Sequence, residues 1–185
     1  MTMSDSFRGR LLVAAPSMLD PNFHRTVIFV LEHSEEGALG VVVNRPSELP
    51  VRGTIDEWAH LAAEPPVVFV GGPVASSAII AVAHVRLDDV DDQWTPLVGS
   101  LGTVDLEVAP ELTPGVNRVR LFAGYAGWAP NQLDAEVDDN AWYVVDLLPE
   151  DPFSDDPAEL WWEILDRQGG QLGRLRHYPR RASDN

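Results

Sequence analysis

A chain of 185 residues with 45% apolar residues, six Trp and six Phe is one domain's worth of sequence, with ample material for a packed core. It has no cysteine, and all thirteen basic residues are Arg, set against twenty-nine acids for a formal net charge of −16. Those absences exclude disulfides, thiol nucleophiles and cysteine metal centres, and with them the Lys-dependent Walker A loop and pyridoxal phosphate Schiff base.

After a polar start, Arg10–Ala15 reads as a strand broken at Pro16. Arg25–Glu32 is almost continuously apolar and β-branched, which suits a strand buried on both faces. His33–Gly37 supplies a turn, and Ala38–Asn44 returns as the second arm of a β-hairpin, ended by Arg45-Pro46. Thr54-Ile55-Asp56-Glu57 has the form of a capping box, with a short helix expected to about Ala63 before Pro65-Pro66. Val67–Val70 reads as a strand running into Gly71-Gly72-Pro73. Ala78–Val85, Thr103–Val108 and Arg118–Phe122 are further strands. Pro130 fits a first helical position, giving a helix to about Val137. Ala141–Leu147 is a strand, and Asp156-Pro157-Ala158-Glu159 opens a helix that Gly169-Gly170 should end near Gln168. No repeat, linker or composition shift divides the chain. The expectation is a single α+β domain over 1–185, with 1–8 and 179–185 flexible.

The chemistry-bearing residues concentrate in Gly124–Glu136. Gly124 and Gly127 permit unusual dihedrals or close backbone approach. Leu133 and Val137 should face the core, while Gln132 and Glu136, four apart, are neighbours on the flanking face. Tyr125 and Trp128 can wall a concavity with polar tips available. Two readings stand side by side: a pocket carrying an amide and a carboxylate, or a structural corner whose polar groups tie down backbone. The Gly71-Gly72-Pro73 segment resembles a phosphate cradle only superficially. Without Lys or a following helix it reads as a tight turn.

The five histidines, His24, His33, His60, His84 and His177, show no metal-ligand spacing, and no serine sits in a nucleophile elbow. His33 is the one placed to serve as a general base, although a loop hydrogen bond is the commoner role. The acidic runs Asp88–Asp92 and Asp155-Asp156 read as solvated loops rather than cation sites. No metal and no cofactor is expected. Strong acidity disfavours direct nucleic-acid binding, and Arg174, Arg176, Arg180 and Arg181 read as a basic tail on an acidic body. No apolar run approaches the ~18–20 residues of a membrane span. The start lacks the pattern of a secretory leader, so a cytoplasmic location is expected.

Three blocks stand in a telling order: GRLLVAAPSMLDPNFHRTVIFVLEHSEEGALGVVVNRP, then Phe69-Val70-Gly71-Gly72-Pro73-Val74, then GYAGWAPNQLDAEV followed by Trp142. Together they span residues 9–146, and the combination resembles the YqgE/AlgH family of bacterial proteins, a family without an established biochemical activity. The family usually has Gly where this chain has Asn131, and its common Leu-His pair is missing from the middle block. The resemblance implies a mixed, mostly antiparallel, bifurcated and partly barrel-like sheet surrounded by helices. It also makes Arg25 and Asn44 plausible pocket groups. The function expected is that of a non-catalytic binding or regulatory domain for a small molecule or protein. Its surface would combine the first hairpin turn, Gly71-Gly72-Pro73 and the Tyr125–Glu136 corner. The alternative is a metal-independent enzyme using Glu136 or His33 as acid–base group. A direct DNA-binding regulator comes last.

Overall fold

Strand β1 (Leu11–Ala14) lies between β2 (Val27–Ser34) and β10 (Trp142–Val145), antiparallel to both, and β2 pairs with β3 (Gly37–Val42) to form the first hairpin. These elements belong to a computed structural model that describes residues 6–179. The two-sided burial expected of β2 is observed, because its alternate residues enter different cores. Val27, Phe29 and Leu31 join Leu11, Val13 and Val41 against Trp161, Ile164 and Leu165 of helix α2 (Leu160–Gln168). Ile28 and Val30 join Leu12 and Val42 against Trp128, Trp142 and Leu133, the last on helix α1 (Gln132–Asp138).

The sheet branches at β9 (Val116–Trp128). The first part of β9 runs antiparallel to β6 (Val74–Val85), while Phe122 and Ala123 also pair in parallel with β5 (Val67–Val70). Beyond the branch, Ala126–Trp128 pairs with β3. Beyond β6 lie β8 (Leu101–Val104) and β7 (Trp94–Val98), and β5 also pairs with β4 (Pro46–Pro50). This mostly antiparallel, branched and curled sheet with a few helices is the α+β architecture that the resemblance implies.

Several local expectations need correction. The strand expected to stop at Phe122 continues to Trp128, because Gly124 takes φ +74° and bends the chain instead of ending it. A side chain there would strike the carbonyl oxygens of Gly72 (2.5 Å) and Val74 (2.9 Å). Gly127 has no such demand on it; a Cβ would meet only the Tyr125 ring at 3.6 Å. The capping box does not form. The Thr54 hydroxyl donates to the Pro50 carbonyl (2.7 Å), Asp56 accepts from the Gly53 N–H (2.6 Å), and only a 3₁₀ turn, Asp56–Leu61, follows. Pro130 lies outside α1, which begins after Asn131 in left-handed conformation (φ +63°). That position is where the resembling family has Gly, and Asn is the side chain that best tolerates the geometry. Gly169 does end α2, but a short helix α3 (Gly170–Arg174) starts at once.

The tails expected to be flexible lie mostly outside the described residues, as do Arg180 and Arg181. Within them, Phe7 N–H donates to His33 Nδ1 (2.9 Å), and Arg8 donates to the carbonyls of Leu31 (3.3 Å) and Pro96 (3.2 Å). Among the described residues no helix is long and apolar enough to cross a membrane.

Candidate functional site

The three segments singled out in the sequence meet around the second half of β9. The GGP segment reaches it edge-on: Gly71 N–H donates to the Ala123 carbonyl (2.8 Å), while the Gly71 carbonyl accepts from Val42 N–H (2.8 Å). Gly72 lies so close to β9 that a Cβ would fall 2.1 Å from the Tyr125 carbonyl carbon. The glycine pair is therefore a backbone-contact device rather than the tight turn expected: with only a bend at the exposed Pro73, the segment runs on beside β9 from Ala123 to Tyr125, and the chain reverses between Val74 and Ile79. On the other side, the hairpin turn is narrower than expected, Glu35-Glu36, and a Cβ at Gly37, the first residue of β3, would sit 2.3 Å from the Trp128 carbonyl oxygen.

Glu136 is the hub of the corner. One carboxylate oxygen accepts from the indole N–H of Trp128 and from that of Trp142, both at 2.9 Å, and the other accepts from the Gln132 amide (3.0 Å). The two indoles pack edge to face, 6.1 Å between centroids. Gln132 in turn accepts from the Ala129 N–H (3.0 Å), closing the first turn of α1. Trp128 and Trp142 are buried, at 7% and 2% exposure, so their indole N–H groups have little water to turn to, and Glu136 supplies the acceptor instead. Gln132 is exposed and Glu136 half-buried.

His33 is committed on both nitrogens. Nδ1 accepts from the Phe7 N–H, which places the proton of the neutral ring on Nε2, where it faces Asp134 at 3.2 Å. The Phe7 ring stacks on it, 5.0 Å between centroids. Asn44 spans a gap in the hairpin, accepting from Val27 N–H (3.0 Å) and donating to the Arg25 carbonyl (2.9 Å). Arg25 itself, at φ +53°, is directed elsewhere. Its guanidinium donates to the Pro179 carbonyl and lies 5.1 Å from the Trp162 ring centroid and 5.7 Å from that of Trp161. The structure thus gathers His33, Trp128, Gln132 and Glu136 at one end of β9, whereas Tyr125, with Gly71–Pro73 along its edge, packs against the other core, so Tyr125 and Trp128 do not wall one concavity as expected; Asn44 holds the hairpin and Arg25 faces α2.

A cleft of about 560 Å³ lies elsewhere, between Glu64, the first half of β9, the turn Asp151–Phe153 and α2. Sequence reasoning passed over it, since its walls come from four separated segments. The one available signal was the pair Arg118 and Arg120, charged residues inside an otherwise apolar strand. Arg120 is 2% exposed, its guanidinium donating to the carbonyls of Ser154 (2.8 Å) and Glu64 (2.5 Å) and lying 4.1 Å from the Phe69 ring centroid. Burial first, and then Arg118, push its pKa down to about 10 against the opposing pull of Asp155 and Glu64.

A branched, curled, mostly antiparallel sheet, with a carboxylate held between two indoles at the end of β9 beyond its fork, places the chain in a class of α+β proteins. Residues 11–173 match the sequence profile of the family described as AlgH-like. A UPF0301 protein of Streptomyces coelicolor is 48% identical over 184 residues, covering 97% of this chain and 95% of the relative. One from Thermobifida fusca is 44% identical over 186 residues, covering 94% and 93%. Among solved structures, a Corynebacterium diphtheriae protein superposes with a TM-score of 0.86 at 35% identity, covering 92% of each chain. The AlgH protein of Pseudomonas aeruginosa, also a UPF0301 protein, superposes with a TM-score of 0.70 at 30% identity, covering 98% of this chain and 99% of that one. This chain belongs to the AlgH-like family.

Proposed function

We propose that the chain is a non-catalytic binding or regulatory domain of the cytoplasm, and that it meets its ligand along Val70–Val74 and Tyr125. The observation that carries this reading is how the corner's groups are spent. Glu136 accepts three N–H donors from within the chain, and His33 has both nitrogens occupied, so the two side chains best suited to acid–base work are committed to holding shape. Beside this braced corner, apolar residues stay in water. Val70 is 44% and Val74 40% exposed, Pro73 between them is exposed, and Val74 pairs with Tyr125 across the sheet. Apolar side chains fixed on a rigid support suit recognition, because little ordering is left to be done on contact. The ligand class is a protein surface or a small apolar molecule; the net charge and the absence of cysteine support a cytoplasmic role away from nucleic acid.

A thermal-shift screen of metabolites, nucleotides and fractionated protein partners tests this reading, run on the wild type and on Val74→Asp. The expected result is a ligand that stabilises the wild type and loses its effect on the variant, while the unliganded melting temperatures agree. Turnover of any substrate that Glu136→Gln abolishes in a folded protein would instead establish the enzyme reading.

A further inference from the structure

The last strand of the curled sheet, β7, is tied to β2 through the residues ahead of β1. Gly9 N–H donates to the Val30 carbonyl (2.9 Å), and a Cβ at Gly9 would meet the Val98 Cβ of β7 at 3.1 Å. The Arg8 guanidinium donates to the Leu31 carbonyl on one side (3.3 Å) and to the Pro96 carbonyl on the other (3.2 Å). Arg8 is also part of the wall of a cavity of about 350 Å³, together with Leu31, Leu39, Ile80 and Leu97. The shortest tie of this strap is to His33. Phe7 N–H donates to His33 Nδ1 at 2.9 Å, and the Phe7 ring stacks on the imidazole with 5.0 Å between centroids and 10° between planes. The Ser6 hydroxyl adds a bond to the His33 carbonyl (3.1 Å).

We propose that His33 is a latch read by charge: its neutral ring holds the strap Ser6–Arg8 between β2 and β7, and its protonated ring releases it. Nδ1 can accept from Phe7 N–H only while it carries no proton. Protonation sets a donor against a donor, and rotating the ring gives no relief, because both nitrogens of an imidazolium donate. The His33 side chain is only 7% exposed, so the lost partner is poorly replaced by water. Asp134, 3.2 Å from Nε2, gains an ion pair from the same charge, so the two contacts compete over one proton. The surrounding charges leave that competition to these two. On α1, Glu136 is held by two indoles and an amide, and Asp138 is exposed. Strand β3 has no titratable side chain, Glu35 and Glu36 of the turn are exposed, and Glu32 lines the cavity with Arg8. Among the described residues Asp134 is the acid within ion-pair reach of His33. Once Phe7 N–H lets go, Ser6 and Arg8 are left with longer contacts (3.1–3.3 Å) from exposed side chains. The Arg8 bridge then fails with the latch, and the cavity loses part of its wall. Falling pH opens this seam and rising pH closes it, within the histidine range of about pH 5–8. The device shares no residue with the Val70–Val74 surface.

The full chain, isotopically labelled, is titrated from about pH 8 to about pH 5 while NMR follows the His33 ring protons and the Phe7 and Arg8 amides. The expected result is that both amides shift with the midpoint of the His33 ring. Solvent protection of Phe7 N–H, corrected for the intrinsic rate at each pH, should fall about tenfold, the scale of one lost hydrogen bond. The Leu121–Ala123 amides should stay in place, showing that the domain remains folded. Two variants distinguish a latch from a merely structural contact. His33→Asn offers an amide oxygen near the place of Nδ1 but has no proton to gain, so Phe7 protection should stay level across the range. Asp134→Asn removes the group that gains from the charge, so the Phe7 midpoint should move to lower pH together with that of the His33 ring. Three outcomes overturn the inference: a His33 ring that titrates with no change at Phe7, a ring that stays neutral throughout, or a Phe7 change that persists in His33→Asn. The wild-type titration decides the first two by itself, whether or not a variant folds.

Discussion

The corner at Glu136 and the cleft at Glu163 are both built from carboxylates beside aromatic rings, yet they are opposite in economy. At the corner every acceptor has an internal donor: two indole N–H groups and an amide fill the Glu136 oxygens. In the cleft Glu64, Asp155 and Glu163 accept no hydrogen bond among the described residues and face Arg120 and Arg167 only through charge attraction. Chemical richness in a sequence therefore does not by itself mark a site. What marks the corner as scaffold is that its polar groups have already satisfied one another.

Substitutions can break or sharpen this contrast, and the corner should break first and hardest. Gly72→Ala places a methyl group 2.1–2.4 Å from the Tyr125 and Ala126 backbone, where no flexible side chain can yield. We expect a loss of more than about 4 kcal/mol, enough to unfold a domain of ordinary stability, visible as loss of soluble, cooperatively melting protein. Glu136→Ala strands two buried indole N–H groups, and urea denaturation should show a loss of about 2–4 kcal/mol. Glu136→Gln retains one acceptor oxygen and should cost about half as much. A wild-type melting curve from Glu136→Ala would remove the corner's claim to be scaffold.

The cleft variants should be milder. Arg120→Met leaves the Glu64 and Ser154 carbonyls without their donor but also relieves a buried charge, for a net loss of about 1–2 kcal/mol in denaturant. The smallest effect, and the one of opposite sign, is expected for Glu163→Gln. Its carboxyl titrates above the ordinary range in the folded chain, so the folded state holds that proton more tightly than the unfolded state does. Ionised Glu163 is then a destabilising feature at neutral pH that disappears as pH falls through the carboxylate range. Glu163→Gln should raise the melting temperature slightly at neutral pH, and the gap should close on acidification. A variant less stable than wild type at neutral pH would show that the attraction of Arg167 outweighs burial and the repulsion of Asp156, Glu159 and Asp155.

Much of the fold is legible in the sequence, and where it is not the reasons are physical. The β2 strand announces itself through Val27–Leu31, since burial on both faces needs an unbroken apolar run. The β4 and β7 strands do not, because each contains proline, which signals loop in a sequence but is tolerated at a sheet edge. Gly124 misleads for a related reason: glycine permits a sharp bend within a strand as readily as a turn at its end. The corner is half legible. Gln132 and Glu136 are neighbours by helical spacing alone, but that one carboxylate serves both Trp128 and Trp142 depends on β10 returning beside α1. The cleft is scarcely legible at all, since Glu64, Arg118, Asp155 and Arg167 meet only through the tertiary fold.

The fork in β9 also governs how the molecule can come apart. Phe122 and Ala123 have a strand on either side, β5 and β6, and the same strand a few residues later carries the register of β3. Neither arm of the sheet can open by itself at the fork without drawing on the other, so the two should melt as a single cooperative unit rather than as separable layers. Native-state hydrogen exchange would then find its slowest amides in the stretch around Leu121–Ala123, with exchange there requiring the whole domain to unfold.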